Sequence, residues 1–367
     1  MSNFSWQRAV IKVGSALVSP DGHNCSHQYL DAIAKFITQS TKQGKEIILV
    51  SSGSVAAART RIKTGHKPTI AEKQAMAAIG QTKMMANWAA LFEQDCAQVL
   101  LTVDDLAHRK RFVNIKNTLE TLLANGALPI VNENDTVVVD EIKVGDNDNL
   151  AAHTAIAAQA DCLIICTDVD GLYTSNPRSN PSATLITKVE QIDEHIMSLA
   201  GGAGTSVGTG GMVTKLQAAL KCTQSGINTI LLNGQKSSSF DALTKGEITG
   251  TLFTSGSAAK SRARQDWLAH TSKIKGSVHV DAGAHQALTL NGASLLAAGI
   301  VNVMGKFNAG DNVEVMHQNK LLAKGLVAYS STELQRIVGC KSEQISEILG
   351  YDAGEAVIHR DNLVLRD

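Results

Sequence analysis

The chain has 367 residues, 44% of them hydrophobic, and its 34 lysine and arginine residues balance 34 aspartate and glutamate residues. This length allows two or three domains, and the zero net charge excludes a global basic field that would attract nucleic acid or an anionic membrane. No apolar run reaches the roughly 18 residues of a membrane helix, and no basic segment followed by an apolar one begins the chain, so neither a membrane span nor a signal peptide is expected.

The cysteine pattern predicts a protein of a reducing compartment. No two cysteines form a CxxC pair, and all are scattered through apolar segments. We therefore expect buried, reduced thiols and a cytoplasmic location. The six residues are Cys25, Cys96, Cys162, Cys166, Cys222 and Cys340.

Apolar strands alternate with amphipathic helices along the first 250 residues. The predicted strands span residues 9–13, 46–50, 97–102, 127–131, 162–167 and 227–232. Nearly continuous apolar strands separated by helices indicate an α/β fold with an open, mainly parallel sheet covered on both faces. Ligands bind at the carboxyl ends of the strands in such sheets, and polar or glycine-rich clusters follow most of these strands.

Three of the helices predicted between these strands can be described by their residues. The first has one apolar face, could be capped by Ser26 and should end before Gly44. Its apolar face consists of Leu30, Ile33, Ala34 and Ile37. The second helix should bury Phe112, Ile115, Leu119 and Leu122. The third is an alanine-rich helix over residues 150–159.

The character of the sequence changes near residue 256. The following stretch is small, polar and basic, SGSAAKSRARQDW, and is typical of a linker. Beyond Gly276 short strand-like segments alternate with glycine turns, which predicts a small β-rich domain. The predicted organisation is a first domain over 1–256, a linker over 257–275 and a second domain over 276–367.

A glycine-rich segment over residues 206–220, SVGTGGMVTKLQAAL, leads into a helical pattern. It is not a Walker A loop, because Leu216 follows Lys215, and it is not GxGxxG, because Val213 occupies the third glycine position. A glycine turn at a helix start offers free amides and a positive dipole, and Lys215 adds a charge. Phosphate binding and a flexible surface loop with a solvated lysine both fit this pattern.

A second unusual lysine, Lys12, interrupts the first apolar strand. A charge in a strand covered on both faces needs a partner or an anionic ligand. Alternatively, the strand lies at the sheet edge and the ammonium group reaches water. Gly14 and Ser15 follow directly, so a ligand could approach the backbone beside this lysine.

The segment after the second strand, SSGSVAAA, is another turn rich in small residues before a helix. Its amides and hydroxyls could hold a carboxylate or a phosphate. The alternative is that Ser51 or Ser52 simply caps the helix.

The segment NENDTVVVDEIKVGDNDNLAA is acidic and suits a metal site, a site for a cationic group or a solvated loop. Its spacing is not that of an EF-hand. Asn147 or Asp148 could cap the alanine-rich helix. Acids opposite glycine loops with lysines would also suit a substrate ammonium and a transferring phosphoryl group. The aspartates are Asp135, Asp140, Asp146 and Asp148.

The segment TDVDGLYTSNP follows the fifth strand. Thr167 and Asp168 could accept hydrogen bonds from a nucleobase or ribose, or Asp170 and Gly171 could simply form a turn. All of these clusters fall at the same predicted edge of one sheet. Two lysines, two loops of small residues and a set of acids are what phosphoryl transfer requires, since that chemistry is mostly positioning and charge neutralisation.

In this order, the motifs resemble those of the amino acid kinase family. The matching stretches lie between residues 10 and 219 and read VIKVGSALVS, ILVSSGSVAAAR, LPIVNENDTV, EIKVGDNDNLAA, TDVDGLYTSNPRSNP and GTGGMVTKLQAA. The tail, with GASLLAAGIVNVMGKFNAGDNVEV and KGLVAYSS, resembles a PUA domain. Within the family this fusion is typical of the members that phosphorylate glutamate, as opposed to the carbamate, aspartate, acetylglutamate and uridylate kinases.

The resemblance implies transfer of the ATP γ-phosphoryl group to the γ-carboxylate of L-glutamate, giving L-glutamyl 5-phosphate in the first step of L-proline biosynthesis. It implies that Lys12 contacts the phosphoryl group from the glutamate side, that Lys215 does so from the ATP side, and that Asp148 holds both lysines in register. The γ-carboxylate is ionised at neutral pH, so no general base is needed.

The resemblance also implies the binding residues. Thr167 and Asp168 would lie beside the nucleotide, and Ser52, Asp135 and Asn147 would bind glutamate, with Asp135 suited to its ammonium group. Mg²⁺ is inferred from ATP, without assigned ligands. The segment that would cradle the nucleotide phosphates comprises Thr209, Gly210, Gly211, Met212, Val213, Thr214 and Lys215, and Lys12 would contact them as well.

The family further implies feedback inhibition by L-proline, homo-oligomers joined through the kinase domains, and handover of the labile product to glutamyl phosphate reductase. PUA domains elsewhere bind RNA, so an RNA-binding or regulatory protein is the rival class, and another kinase of the same fold is the second alternative. Residues 276–367 carry seven lysine and arginine residues against ten aspartate and glutamate residues. This balance makes RNA binding unfavourable.

Overall fold

The computed structural model of the chain describes residues 4–62, 65–107, 109–137, 146–200, 210–255, 274–351, 356–360 and 363–365. The chain forms two compact units, Met1–Leu106 with Ile115–Gly256, and Ala107–Asn114 with Ser257–Asp367. Most of the predicted linker over 257–275 falls outside the described residues. Within the described part of the chain, no helix has both the length and the hydropathy required to cross a membrane.

A mainly parallel sheet forms the centre of the first unit. Its strands are β1 (Arg8–Val13), β2 (Glu46–Ser51), β3 (Cys96–Leu101), β4 (Leu128–Glu133), β5 (Cys162–Thr167), β6 (Lys188–Val189), β7 (Asn228–Asn233) and β8 (Thr251–Phe253). They lie in the order β3-β4-β2-β1-β5-β7-β8-β6, and only the β7–β8 pair is antiparallel. The predicted parallel sheet is confirmed, and the six predicted strands begin and end within two residues of the observed ones.

The helices, numbered along the chain, alternate with these strands and continue into the second unit. They are α1 (Ser15–Val18), α2 (Leu30–Lys42), α3 (Ser54–Ala57), α4 (Ile70–Ala89), α5 (Val103–Ala107), α6 (Arg109–Ala124), α7 (Asp146–Ala157), α8 (Glu194–Ala200), α9 (Gly210–Gln224), α10 (Ser237–Thr244), α11 (Ala282–Leu290), α12 (Ser331–Ile337) and α13 (Ser342–Leu349).

Helix α2 confirms the predicted apolar face, because all four of its predicted residues are buried. The expected cap by Ser26 is wrong. Tyr29 occupies the cap position, and the Ser26 hydroxyl instead accepts a hydrogen bond from the amide of Gln28 at 3.2 Å. A turn therefore intervenes between this serine and the helix. Gly44 follows the helix with φ of +78°, a left-handed conformation that favours glycine.

The predicted start of the alanine-rich helix is also wrong. Helix α7 begins at Asp146, four residues before the predicted start, so Asn147 and Asp148 lie in its first turn rather than ahead of it. An acidic side chain is favourable in this turn because it faces the positive end of the helix dipole. The interpretation of these two residues as caps is therefore wrong.

Strand β1 lies inside the sheet, between β2 and β5. Its apolar residues Ala9, Val10, Ile11 and Val13 are fully buried. The alternative in which Lys12 sits on an edge strand is therefore wrong, and its ammonium group must be satisfied within the protein.

The second unit contains a sheet of five strands in the order β11-β9-β12-β13-β15 and a separate pair, β10 and β14. The strands are β9 (Ile274–Val280), β10 (Leu295–Leu296), β11 (Ile300–Gly305), β12 (Asn312–His317), β13 (Lys320–Leu326), β14 (Ala356–Ile358) and β15 (Leu363–Leu365). The unit has its own apolar core. Helices α11, α12 and α13 belong to this region of the sequence and were not predicted, because each is only two or three turns long.

All six cysteines are free, in agreement with the expected reduced thiols. Cys162, Cys166 and Cys222 are buried, whereas the other three are half-buried, so the prediction that every thiol is buried is wrong.

Candidate active site

The carboxyl ends of the parallel strands place the predicted polar segments along one edge of the sheet. Residue Gly14 follows β1, Ser52 follows β2, Asp135 follows β4, and Thr167 ends β5. Strand β1 pairs in parallel with β2 on one side and β5 on the other, so their ends meet at this edge. The sheet topology therefore brings the segments after these strands to one edge, as expected. We call this edge the rim.

Lys12 reaches this edge from inside the sheet. The residue is only 5% exposed, and its Nζ lies 2.7 Å from Oδ1 of Asp148. A methyl group added at Gly14 would lie 3.7 Å from the same Nζ, which places the ammonium group beside the glycine backbone. A buried lysine beside the backbone of a glycine can neutralise an anion that binds at the rim.

Asp148 joins the two lysines that the sequence singled out. Helix α7 carries it in its first turn, where it is 1% exposed. Its Oδ2 lies 3.2 Å from Nζ of Lys215 and accepts a hydrogen bond from the hydroxyl of Thr214 at 2.8 Å. Lys215 also donates to the carbonyl of Gly211 at 3.0 Å. Strand β1 and helix α9 thus direct their ammonium groups to the two oxygens of one carboxylate.

The electrostatics of this cluster favour an anionic ligand. One carboxylate faces two ammonium groups, which leaves a positive charge in excess. Burial raises the pKa of Asp148, but Lys12 and then Lys215 lower it more, so the carboxyl pKa lies below its ordinary value. Burial and the charge of Lys12 lower the pKa of Lys215, and Asp148 only partly opposes them. An anion at the rim would relieve this repulsion between the lysines.

Two hydrogen bonds connect the segment after β2 to α7 and to the loop after β4. Asn147 Nδ2 donates to the hydroxyl of Ser52 at 2.8 Å, and the Ser54 hydroxyl donates to Asp135 Oδ2 at 3.0 Å. The other amide atom of Asn147, Oδ1, is buried without a hydrogen-bond partner among the described residues. An unsatisfied buried acceptor is unfavourable, so this atom suits a donor supplied by a ligand.

The amide of Ser52 donates to the carbonyl of Val13 at 3.1 Å, which extends the pairing of β1 and β2. Its hydroxyl, and not its own amide, is therefore the group that this serine offers at the rim.

The β5 end of the rim holds the residues predicted beside a nucleotide. The hydroxyl of Thr167 donates to Asp168 Oδ1 at 3.2 Å, and Arg178 forms a solvent-exposed ion pair with Asp168 at 3.0 Å. Helix α9 begins at Gly210, and Gly211, Met212 and Val213 follow in its first turn. The first amides of a helix have no partners within it, so this turn can bind an anion. Thr209, with the glycine-rich segment before it, and Asp140 lie outside the described residues.

Sequence reasoning missed a cluster around Asp170, which it interpreted only as a turn residue. The carboxylate of Asp170 lies 2.6 Å from Lys236 Nζ and accepts from Asn233 Nδ2 at 2.9 Å and Tyr173 Oη at 3.3 Å. The amide of Gly234 donates to the carbonyl of Thr167 at 2.8 Å. These contacts join the loops after β5 and β7. The polar segment NGQK after a strand was the signal that could have indicated them.

The described residues contain no group of three or more histidine, cysteine, aspartate or glutamate side chains that could hold a metal ion. Both oxygens of Asp148 already face lysines, and Asp168 faces an arginine. The metal ligands left open by the sequence are therefore not supplied by a preformed cluster in this part of the chain.

Comparison with known proteins gives consistent results along the whole chain. Residues 7–233 match the Amino acid kinase family, and residues 276–349 match the PUA domain. A glutamate 5-kinase of Idiomarina loihiensis is 51% identical over 364 residues, which cover 98% of each chain. A glutamate 5-kinase of Salinibacter ruber is 50% identical over 367 residues, covering 98% of this chain and 97% of its own. A third, from Geobacter sulfurreducens, is 46% identical over 364 residues, covering 98% and 97%.

Proposed function

The chain belongs to the amino acid kinase family, and from that premise we propose that it transfers the γ-phosphoryl group of ATP to the γ-carboxylate of L-glutamate. The product is L-glutamyl 5-phosphate, the first intermediate of L-proline biosynthesis. The observation that carries the proposal is the convergence of Lys12 and Lys215 on the buried carboxylate of Asp148. The substrate is supported by relatives that are named glutamate 5-kinase.

The reaction joins two anions, so charge repulsion is the main barrier that the protein must lower. A γ-carboxylate oxygen attacks the γ-phosphorus, and the bond from that phosphorus to the bridging oxygen of the β-phosphate breaks. Lys12 would neutralise charge on the glutamate side of the moving phosphoryl group, and Lys215 would do so on the nucleotide side. Asp148 would keep their ammonium groups at a fixed separation, which makes the site preorganised.

The contacts near Ser52 support a glutamate-binding role for this part of the rim. The carboxylate of Asp135 and the unsatisfied Oδ1 of Asn147 are acceptors suited to an α-ammonium group. The Ser52 hydroxyl and the amide groups beside it would face the α-carboxylate. The α-ammonium group would then be bound by hydrogen-bond acceptors and the α-carboxylate by hydrogen-bond donors.

We propose that the nucleotide phosphates lie at the start of α9, over residues 209–215, with Lys12 reaching the γ-phosphate. Thr167 and Asp168 would lie beside the nucleoside. Mg²⁺ usually binds through substrate phosphates with one or two carboxylates, and it neutralises phosphate charge when bound.

A substrate panel tests the proposed function directly. ADP release is measured with L-glutamate, L-aspartate, N-acetyl-L-glutamate, carbamate and UMP, and hydroxylamine traps any acyl phosphate. We expect L-glutamate to give the highest kcat/KM by a wide margin and a trapped γ-hydroxamate, because relatives 50% and 51% identical to this chain are named glutamate 5-kinase. Equal or faster ADP release with another acceptor would overturn the assignment.

The Asp170 cluster gives a prediction about the nucleotide side. Asp170→Asn weakens the ion pair to Lys236. This ion pair helps to hold the loop that follows Thr167 and carries Asp168. We expect KM for ATP to rise about three- to tenfold, the effect of one lost charged hydrogen bond, while KM for L-glutamate stays unchanged. Steady-state kinetics with each substrate varied provides the measurement. Asp241→Asn on the exposed side of α10 is the control, and an unchanged KM for ATP in D170N would contradict the prediction.

We propose four further properties: feedback inhibition by L-proline, handover of the product, homo-oligomers and a cytoplasmic location. L-proline shares the α-ammonium and α-carboxylate of glutamate, so it would compete at the same contacts and act as a feedback inhibitor. An acyl phosphate hydrolyses readily, so handover to glutamyl phosphate reductase would protect it. Homo-oligomers joined through the kinase domains, in a cytoplasm that keeps the thiols reduced, complete the proposal.

A further inference from the structure

Ser54 connects two loops that follow different strands of the sheet. It begins α3 after β2, is only 4% exposed, and donates its hydroxyl hydrogen to Oδ2 of Asp135 at 3.0 Å. Asp135 follows β4 and lies 81 positions away in sequence. A buried hydroxyl therefore contacts the carboxylate that we assign to the substrate ammonium.

The backbone that carries Ser54 is fixed by close packing on two sides. A methyl group at Gly80 of α4 would lie 1.8 Å from the carbonyl oxygen of Ser54, so only a glycine allows this approach. Gly53 has φ of +109°, and a methyl group there would lie 2.9 Å from Val18 Cγ1. The hydroxyl of Ser54 thus projects from a rigid turn, and this rigidity lets it orient a neighbouring group.

A second contact with α4 holds the same turn in place. The indole Nε1 of Trp88 donates to the hydroxyl of Ser51 at 2.8 Å, and this tryptophan is fully buried in α4. Helix α4 therefore holds the turn at Ser51 through a side chain and at Ser54 through backbone packing. The segment between these serines is the one that faces the proposed glutamate site.

A neutral hydroxyl affects a carboxylate differently from a lysine. Its hydrogen bond fixes the rotation of the Asp135 side chain but leaves the negative charge intact. A carboxylate that stays charged and already oriented binds a cationic group without losing side-chain entropy.

We propose that Ser54 is a positioning residue that orients Asp135 toward the α-ammonium group of the substrate and thereby sets the preference for acceptors that carry this group. The inference rests on the proposed function, because it assumes that glutamate binds with its ammonium at Asp135. Ser54 acts only through Asp135 and takes no part in phosphoryl transfer.

The test compares L-glutamate with glutarate, which has the same two carboxylates and lacks the ammonium group. Ser54→Ala should raise KM for L-glutamate about three- to tenfold, the effect of one lost hydrogen bond, and change kcat by less than about twofold. The inhibition constant of glutarate, measured by competition against L-glutamate, should stay the same. Asp135→Asn should raise KM as well, and adding Ser54→Ala to that variant should cause no further rise, because the two residues act as one unit.

Two further variants keep the test decisive. Ser54→Cys preserves the packing against α4 but donates only weakly, so it should shift KM in the same direction even where Ser54→Ala unfolds. Ser40→Ala removes a similarly buried hydroxyl from α2 and should leave both constants unchanged. An unchanged KM for L-glutamate, or an equal weakening of glutarate, overturns the inference about Ser54. Absence of glutamyl phosphate formation by the unmodified enzyme would instead overturn the proposed function.

Discussion

Lys12→Ala lowers kcat for glutamyl phosphate formation by about 100- to 1,000-fold, the effect of removing one preorganised donor to a developing charge. The side chain is buried in the middle of the sheet, so no solvent cation replaces it. The expected change in KM is much smaller, because the ammonium group interacts most strongly with the charge of the transition state. Lys215→Ala should act in the same direction from the nucleotide side.

Steady-state kinetics with L-glutamate and ATP varied separately measures both effects. Lys35→Ala, which removes an exposed lysine from α2, should keep the kinetic constants of the unmodified enzyme. Thermal unfolding of each variant shows whether the loss of activity reflects loss of the fold. Near-normal turnover in a folded Lys12→Ala or Lys215→Ala protein would refute the role assigned to that lysine.

Asp148→Asn destabilises the first unit by about 3–5 kcal/mol, because it leaves two ammonium groups buried beside each other without their shared counter-ion. Asparagine has nearly the same shape as aspartate, so packing against α9 is kept and only the charge changes. We also expect kcat to fall, since the two lysines lose the group that fixes their separation. Urea unfolding at pH 7 measures the stability change, with Asp31→Asn on the exposed side of α2 as the control.

The same carboxylate gives the stability of the protein a defined pH dependence. The pKa of Asp148 is lower in the folded protein than its ordinary value, because the lysines outweigh the effect of burial. The stability that the ionised Asp148 carboxylate contributes is therefore fully present above an unfolded-state pKa of about 4. It is lost as the pH falls through the lowered folded-state pKa. Urea midpoints measured between about pH 5 and pH 3 should fall more steeply for the unmodified protein than for Asp148→Asn. Parallel curves for the two proteins would contradict this origin of acid sensitivity.

The amino-acid sequence by itself determined six of the eight strands of the large sheet, the class of that sheet and the segments that face its functional edge; the short strands β6 and β8 were not predicted. An apolar run such as Cys162–Thr167 predicts a buried strand because burial on both faces removes the usual polar alternation. The face of α2 follows from the helical period in the same way. Such patterns are local, so they can be recognised without knowledge of the rest of the chain.

Local sequence patterns did not decide which of these residues meet. The family resemblance implied that Lys12, Asp148 and Lys215 lie together, and the tertiary structure shows the contacts. In sequence alone an edge strand suits Lys12 better than a central strand, and only the position of β1 between β2 and β5 makes this lysine buried. Asp148 lies 136 positions after Lys12. Its carboxylate contacts both Lys12 and Lys215 only because α7 starts early enough to direct it at the two ammonium groups. Neither fact has a signal in the neighbouring residues.

The contacts of Ser54 with Asp135 and of Asp170 with Lys236 were not predicted from the sequence, for a related reason. Each pair joins loops after different strands, and the partners are 81 and 66 positions apart. Their contact depends on strand order and register, which side-chain periodicity does not encode. The sequence thus determined the chemical groups available at the edge of the sheet, while the packing of strands and helices decided the pairs in which they act, because a hydrogen bond depends on distances of a few ångströms that only the complete fold sets.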